Sequence, residues 1–263
     1  MAYSPQISFI IPSIRPEKLQ AVYDSILTSW HGTFEISVVS PKQYVPLKLN
    51  PRGEIQWLVD FGCPSRAMQL GWIRAKSDWL FFATDDCEFD SDAVNIAYRN
   101  LCKRNFDYKT VIVTPFTESD NWSKWMLTPC YYHAWWHANL RSFNIPFFTK
   151  LYMNGLISKQ LMQETGGFDT RFESTAWSYN EWSIRSQFYG ANFIIQRERS
   201  NHCQWSPGQT GDHGPVADAC KDDEALFYGR FNTKNFVRKP VIPVDNWRYA
   251  PAKWPRRNPC PNV

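Results

Sequence analysis

Two adjacent carboxylates, Asp85 and Asp86, stand in the run Thr84-Asp85-Asp86-Cys87-Glu88, directly behind the apolar stretch Trp79-Leu80-Phe81-Phe82-Ala83. An aromatic-rich run of that length, closed by polar residues, predicts a buried strand. Acids at the carboxyl end of such a strand lie where open α/β sheets take their ligands. Buried carboxylates need a partner, and a divalent cation is a natural one. Mg²⁺ or Mn²⁺ held by one or two carboxylates draws its remaining ligands from water and substrate phosphates. The chemistry on offer is therefore the handling of a phosphorylated substrate. Ordinary turns and helix caps use the same residues, so the surroundings have to decide.

The elements that must hold this pair alternate along the chain. Ile7 to Ile11 is a short apolar run ended by Pro12, and Pro16 with Glu17 opens a helix, where proline and an acid both suit the first turn. Leu19, Val22, Tyr23, Ile26, Leu27 and Trp30 recur at helical spacing. Phe34 to Val39 and Ile55 to Val59 read as strands, Pro64 to Lys76 as a helix leading into the strand at Trp79. Asp90 or Ser91 caps a helix carrying Val94, Ala97, Tyr98 and Leu101, and Thr110 to Thr114 is a further strand. Phe116 to Phe148 is irregular and rich in Trp, Tyr, His and Pro. Gly155 to Ser158 restarts regular structure ahead of a helix to Glu164 and the turn Gly166-Gly167-Phe168-Asp169. A helix from about Ser178 to Tyr189 ends at Gly190, and Asn192 to Gln196 is the last strand. Strands alternating with helices predict an α/β fold with a doubly wound, mainly parallel sheet.

Length and composition fit that class. The chain has 263 residues, enough for one sizeable domain, and 43% apolar with 21% charged residues describes an ordinary globule. We expect a domain over 1–238, in two halves of about 1–115 and about 116–238. The Pro-rich basic tail, 239–263, should be extended, either draped over the domain or free. A net charge of +4 is too mild to announce nucleic acid binding. Seven cysteines without C-x-x-C spacing read as reduced thiols, and no signal peptide precedes the first strand, so a cytoplasmic protein with no membrane span is expected.

Three segments together resemble the GT-A glycosyltransferases, specifically the nucleotide-sugar-dependent family 2. They are Ile7-Ser8-Phe9-Ile10-Ile11-Pro12-Ser13-Ile14-Arg15-Pro16-Glu17, then Gly62-Cys63-Pro64-Ser65-Arg66-Ala67 through to Thr84-Asp85-Asp86, and Gly166-Gly167-Phe168-Asp169-Thr170-Arg171-Phe172-Glu173 followed by Asn180-Glu181-Trp182. Their order and spacing agree from roughly Ile7 to Trp205. The resemblance implies a GT-A (Rossmann-like) fold and an inverting transfer from a nucleotide-diphosphate sugar, of UDP or GDP type, to a saccharide or other hydroxyl acceptor.

It also implies roles for single residues. Pro12, Ser13 and Arg15 belong to a strand-to-helix turn whose amides can meet a diphosphate or ribose, and an ordinary connection would look the same. Arg66 would bring its donor fork to a phosphate or base edge. Asp85 would contact the ribose and Asp86 would ligate Mn²⁺ or Mg²⁺, joined by a late histidine, His202, with His213 as a weaker substitute. Gly208, Gly211 and Gly214 make a loop that could close over the donor. Glu181 is the candidate general base, although Ser178-Tyr179-Asn180-Glu181 also fits a capping box, and Glu173 could serve instead. Trp122, Trp125, Trp135 and Trp136, with Tyr131 and Tyr132, could stack an acceptor sugar or pack on one another.

Two places depart from the family. Val39-Ser40-Pro41 stands where relatives carry a base-reading acid, and Cys87 stands where many have a third acid. Three other readings stay open. A nucleotidyltransferase making sugar nucleotides would be expected to show a glycine-rich loop after the first strand. A non-catalytic carbohydrate-binding protein could use the same scaffold. A glycosyltransferase could also take a hydroxylated base in DNA as acceptor, an idea motivated faintly by Arg248, Lys253, Arg256 and Arg257.

Overall fold

The computed structural model describes residues 4–118, 150–152, 154–196, 198, 201–203, 214–231 and 240–254. The expected acceptor residues Trp122, Trp125, Trp135 and Trp136 lie outside them, as does His213. Among the described residues, seven strands form one sheet in the order β3-β2-β1-β4-β8-β6-β9. These are β1 (Ile7–Pro12), β2 (Phe34–Ser40), β3 (Gly53–Val59), β4 (Trp79–Phe82), β6 (Thr110–Val113), β8 (Gly155–Ser158) and β9 (Asn192–Ile195). β8 runs antiparallel to its neighbours β4 and β6, and the other pairings are parallel. The expected doubly wound, mainly parallel sheet is what forms.

Helices cover both faces, which is why the strands read as unbroken apolar runs. On one side α1 (Leu19–Ser29) and α3 (Ala93–Cys102) pack Val22, Ile26, Val94 and Leu101 against Ile7, Phe9, Ile11 and Ile36. On the other, α2 (Pro64–Arg74), α4 (Lys159–Thr165) and α5 (Thr175–Tyr189) bring Met68, Trp72, Leu161 and Trp182 onto Ile10, Leu80, Phe82 and Val111. The aromatic surplus within the described residues is largely core. Phe9, Phe81 and Phe89 sit with ring centroids 5.3–5.7 Å apart, and Phe82, Phe168 and Tyr179 form a second cluster.

A smaller sheet joins β5 (Cys87–Phe89), β10 (Asn201–Cys203) and β7 (Phe116–Glu118) beside the carboxyl ends of the main strands. A last helix, α6 (Gly214–Phe231), packs on α5. Residues 240–254 are neither free nor wholly extended. They form a strap with a 3₁₀ turn at Val244–Tyr249, tied down by bonds from Ile242 N to Thr165 O and from Trp254 N to Phe61 O. Gly166, at φ 85°, ends α4 in the left-handed region, and a side chain there would occupy the place of the Ile242 carbonyl.

Candidate functional site

Register places the acid pair. Ile10 lies opposite Phe82, and Ala83 N donates to Ile10 O, so the chain leaving β4 runs beside the turn leaving β1. Asp85, 2% exposed, is the hub of that junction. Its Oδ2 accepts from Ser13 Oγ (3.0 Å), Ile14 N (3.1 Å) and Arg15 N (2.9 Å), and its Oδ1 from Arg15 Nε (3.1 Å) and Nη2 (2.5 Å). Burial pushes the Asp85 carboxyl upward, against the bonds and charge of Arg15. Asp86 accepts from the Thr84 hydroxyl at 2.7 Å on Oδ1, while Oδ2 meets Arg15 Nη2 at 2.9 Å.

The structure brings Ser13, Arg15, Asp85 and Asp86 together at the end of β1. Ile14 N and Arg15 N face Asp85, so in this arrangement they cradle a carboxylate of the chain. Asp85 has five donors on about four acceptor sites, and its place is to fix the turn.

Asp86 fits a hard cation. Oδ1 meets the Thr84 hydroxyl and Oδ2 meets Arg15, and each oxygen keeps acceptor capacity. Among the described residues no three His, Cys, Asp or Glu side chains converge on one point. Mn²⁺ or Mg²⁺ would take its other ligands from phosphate and water, as Mg²⁺ ordinarily does. His202 is placed by its backbone: it pairs with Glu88, and Cys203 with Cys87, so β10 runs alongside the strand that follows the acids.

Arg66 has a different task from the one expected. Nε and Nη2 engage Asp60 at 3.0–3.1 Å, and Nη1 donates to the carbonyls of Trp247 (2.5 Å) and Ala250 (3.3 Å) in the strap. With the Trp247 ring centroid 5.1 Å from its guanidinium carbon, Arg66 anchors the strap. Asp60 was missed, although it stands directly behind β3 and six residues before Arg66.

The two candidate bases part company. α5 begins at Thr175, with Ser174 Oγ accepting from Trp177 N, so Ser178 is not the cap and Glu181 is not the capping-box acid. Glu181 lies about 10 Å below the cap, at 1.5 Å per residue. Its carboxylate has no exposed surface and is held by Arg185 Nε (2.7 Å), Arg185 Nη2 (3.0 Å) and Arg230 Nη2 (3.0 Å). Two arginines thus close in on this carboxylate. Glu173 precedes the cap. α5 leads into β9, which runs parallel to β6, so its start lies at the carboxyl edge of the sheet, as the acid pair does. Ser65 Oγ bonds Ser174 O there at 3.0 Å, and Glu173 Oε2 accepts from Trp254 Nε1 at 2.9 Å.

α6 supplies two further residues that nothing in the spacing announced. Asp223 accepts from the amides of Glu173 (3.0 Å) and Ser174 (2.7 Å), and burial pushes its carboxyl up. Arg230 binds Glu181 and also Asp169. Burial alone would raise Asp169, but Arg171 and Arg230 outweigh it and bring it down to about 2.

No protein-family profile matches the chain, and no curated protein matches its sequence. Solved structures do resemble it. The S. aureus glycosyltransferase TarS, as a 1–349 fragment in complex with UDP, superposes with a TM-score of 0.57 at 12% identity over 87% of this chain and 66% of that one. The same fragment in a second structure gives 0.57 at 10% identity, and a longer TarS structure gives 0.56 at 10%. The chain spans 66% of the fragment and 40% of the longer structure. At this level of identity the likeness speaks for the fold: a mixed α/β, Rossmann-like architecture of the GT-A type.

Proposed function

We propose that the protein is a metal-assisted, family 2-like glycosyltransferase that moves a sugar from a nucleotide-diphosphate donor, of UDP or GDP type, to a hydroxyl acceptor with inversion. One observation carries this reading. The turn after β1 and the Asp85–Asp86 pair meet at the carboxyl edge of a mainly parallel sheet, in a fold shared with a glycosyltransferase crystallised with UDP. Cys63, Cys87 and Cys102, as reduced thiols, suit a reducing, cytoplasmic setting.

In the reaction the acceptor oxygen forms a bond to the anomeric carbon as the bond from that carbon to the diphosphate breaks, the electron pair leaving with the phosphate. Asp86, with His202 on the adjoining strand, would hold Mn²⁺ or Mg²⁺, which when bound supplies charge against the departing diphosphate. Arg15 offers a planar fork suited to phosphate oxygens. Asp85 keeps the turn in shape through its bonds to Ser13, Ile14 and Arg15. Glu173 takes the proton of the acceptor hydroxyl. Its place at the carboxyl edge favours it over Glu181, which two arginines enclose.

The test is a panel of UDP- and GDP-sugars incubated with Mn²⁺, read as release of free nucleotide diphosphate. Turnover of at least one donor that stops with chelator and with Asp86→Asn is the expected result. No turnover of any donor, or full activity in Asp86→Asn, refutes the assignment.

A further inference from the structure

The acid pair already holds a cation of the chain's own. Arg15 Nη2 lies 2.5 Å from Asp85 Oδ1 and 2.9 Å from Asp86 Oδ2, so a single nitrogen bridges both carboxylates. Its side chain is 15% exposed, against 3% and 8% for its partners, so of the three it is the least enclosed. A divalent ion on Asp86 would meet this guanidinium as a like charge within a few ångströms, and the two compete for one carboxylate.

The acids are built to outlast its departure. Asp85 Oδ2 keeps the Ser13 hydroxyl and the amides of Ile14 and Arg15, and Asp86 Oδ1 keeps the Thr84 hydroxyl. The backbone of Arg15 stays fixed by its own amide bond to Asp85 and by Lys18 N donating to its carbonyl, so the side chain can swing without moving the turn. We infer that Arg15 is an exchangeable counter-ion, which holds Asp86 while no divalent ion is bound and yields it when the ion arrives, turning its guanidinium onto the donor's phosphates. This rests on the donor reading above. It makes metal and nucleotide arrive cooperatively, since the phosphates receive the charge that the metal displaces.

The test is calorimetric titration of Mn²⁺, without nucleotide, into the wild type and Arg15→Met. The variant lacks the competitor and should bind Mn²⁺ about tenfold tighter, within the range of about 5–150-fold usual for coupled sites. Its affinity for UDP in the presence of Mn²⁺ should fall by about tenfold, because the phosphate partner is gone. A merely structural Arg15 would weaken both ligands together. Equal, weaker or no Mn²⁺ binding by the variant overturns the exchange. Should Arg15→Met fail to fold, a wild-type structure with Mg²⁺ and UDP decides it: Nη2 on a phosphate and off Asp86 supports exchange, and Nη2 still bridging both acids refutes it. Failure of UDP to bind the wild type counts instead against the donor reading, which the nucleotide-free Mn²⁺ titration does not depend on.

Discussion

Asp85 and Asp86 are neighbours with the same side chain and opposite duties. Asp85 is closed around five donors of the β1–α1 turn, so Asp85→Ala should cost stability, about 3–5 kcal/mol for stripping a buried ion pair of one partner. Urea unfolding of the apo-protein measures it, and a loss below about 1 kcal/mol would contradict the hub. Asp86→Asn should leave the unfolding midpoint nearly unchanged and remove metal-dependent turnover. Glu173 and Glu181 divide in the same manner. Glu173→Gln should lower transfer by about 10²–10⁴ with donor affinity kept. Glu181→Gln should mainly destabilise, since Arg185 and Arg230 would face a neutral amide inside the protein. Initial rates and melting temperatures of the two variants, taken side by side, distinguish a base from a buried ion pair. Near wild-type transfer by Glu173→Gln would remove it as the base.

At the scale of elements, α6 locks α5 in place with an acid at its start and an arginine about two turns further in. Asp223 caps the start of α5 and Arg230 ties Asp169 to Glu181. Asp169 gives this lock an acid limit. Its carboxyl is held at about 2, below the ordinary 3.8, so its contribution is complete above about pH 4 and is lost as pH falls through 2. The loss amounts to about 2 kcal/mol. Asp85 and Asp223, both raised, act in the other direction: they favour the fold when protonated, and that contribution fades as pH rises through their folded values. Asp169→Asn should therefore flatten the fall of the urea midpoint between pH 4 and 2, and an unchanged slope would remove Asp169 as its source. The strands were legible in the sequence because burial on both faces leaves apolar runs, as in Ile7–Pro12 and Thr110–Val113. The start of α5 was not. Ser174 and Ser178 are equally good caps by spacing, and the choice falls to Ser174, whose amide, with that of Glu173, faces Asp223 about fifty positions onward. The partners of Arg66 were illegible for a similar reason: the carbonyls it binds lie 181 and 184 residues away.

Over the whole molecule, the strap ties α2 to the turn that follows α4. Asn246 alone meets Thr170 N (3.1 Å), Thr170 Oγ1 (2.8 Å) and Gly166 O (3.3 Å), while Gln69 of α2 donates to Gly166 O and Val244 O. Asn246→Ala should cost about 1–3 kcal/mol, since it takes the partner from the buried Thr170 amide. Limited proteolysis should then cut first within 240–254, and cleavage elsewhere at an unchanged rate would show that the strap is not the weak point. Glu173 gains its Trp254 partner from the same segment. That geometry has a consequence for how the protein is made. A chain emerging from the ribosome can pair β1 with β2 and β4 early, yet the Arg66 anchor and the Glu173 contact must wait for Trp247 and Trp254, 181 and 81 positions further along. Synthesis itself thus acts as a timer: a nascent or prematurely terminated chain carries the acid pair and its turn, without the partner that holds Glu173 at the edge of the sheet.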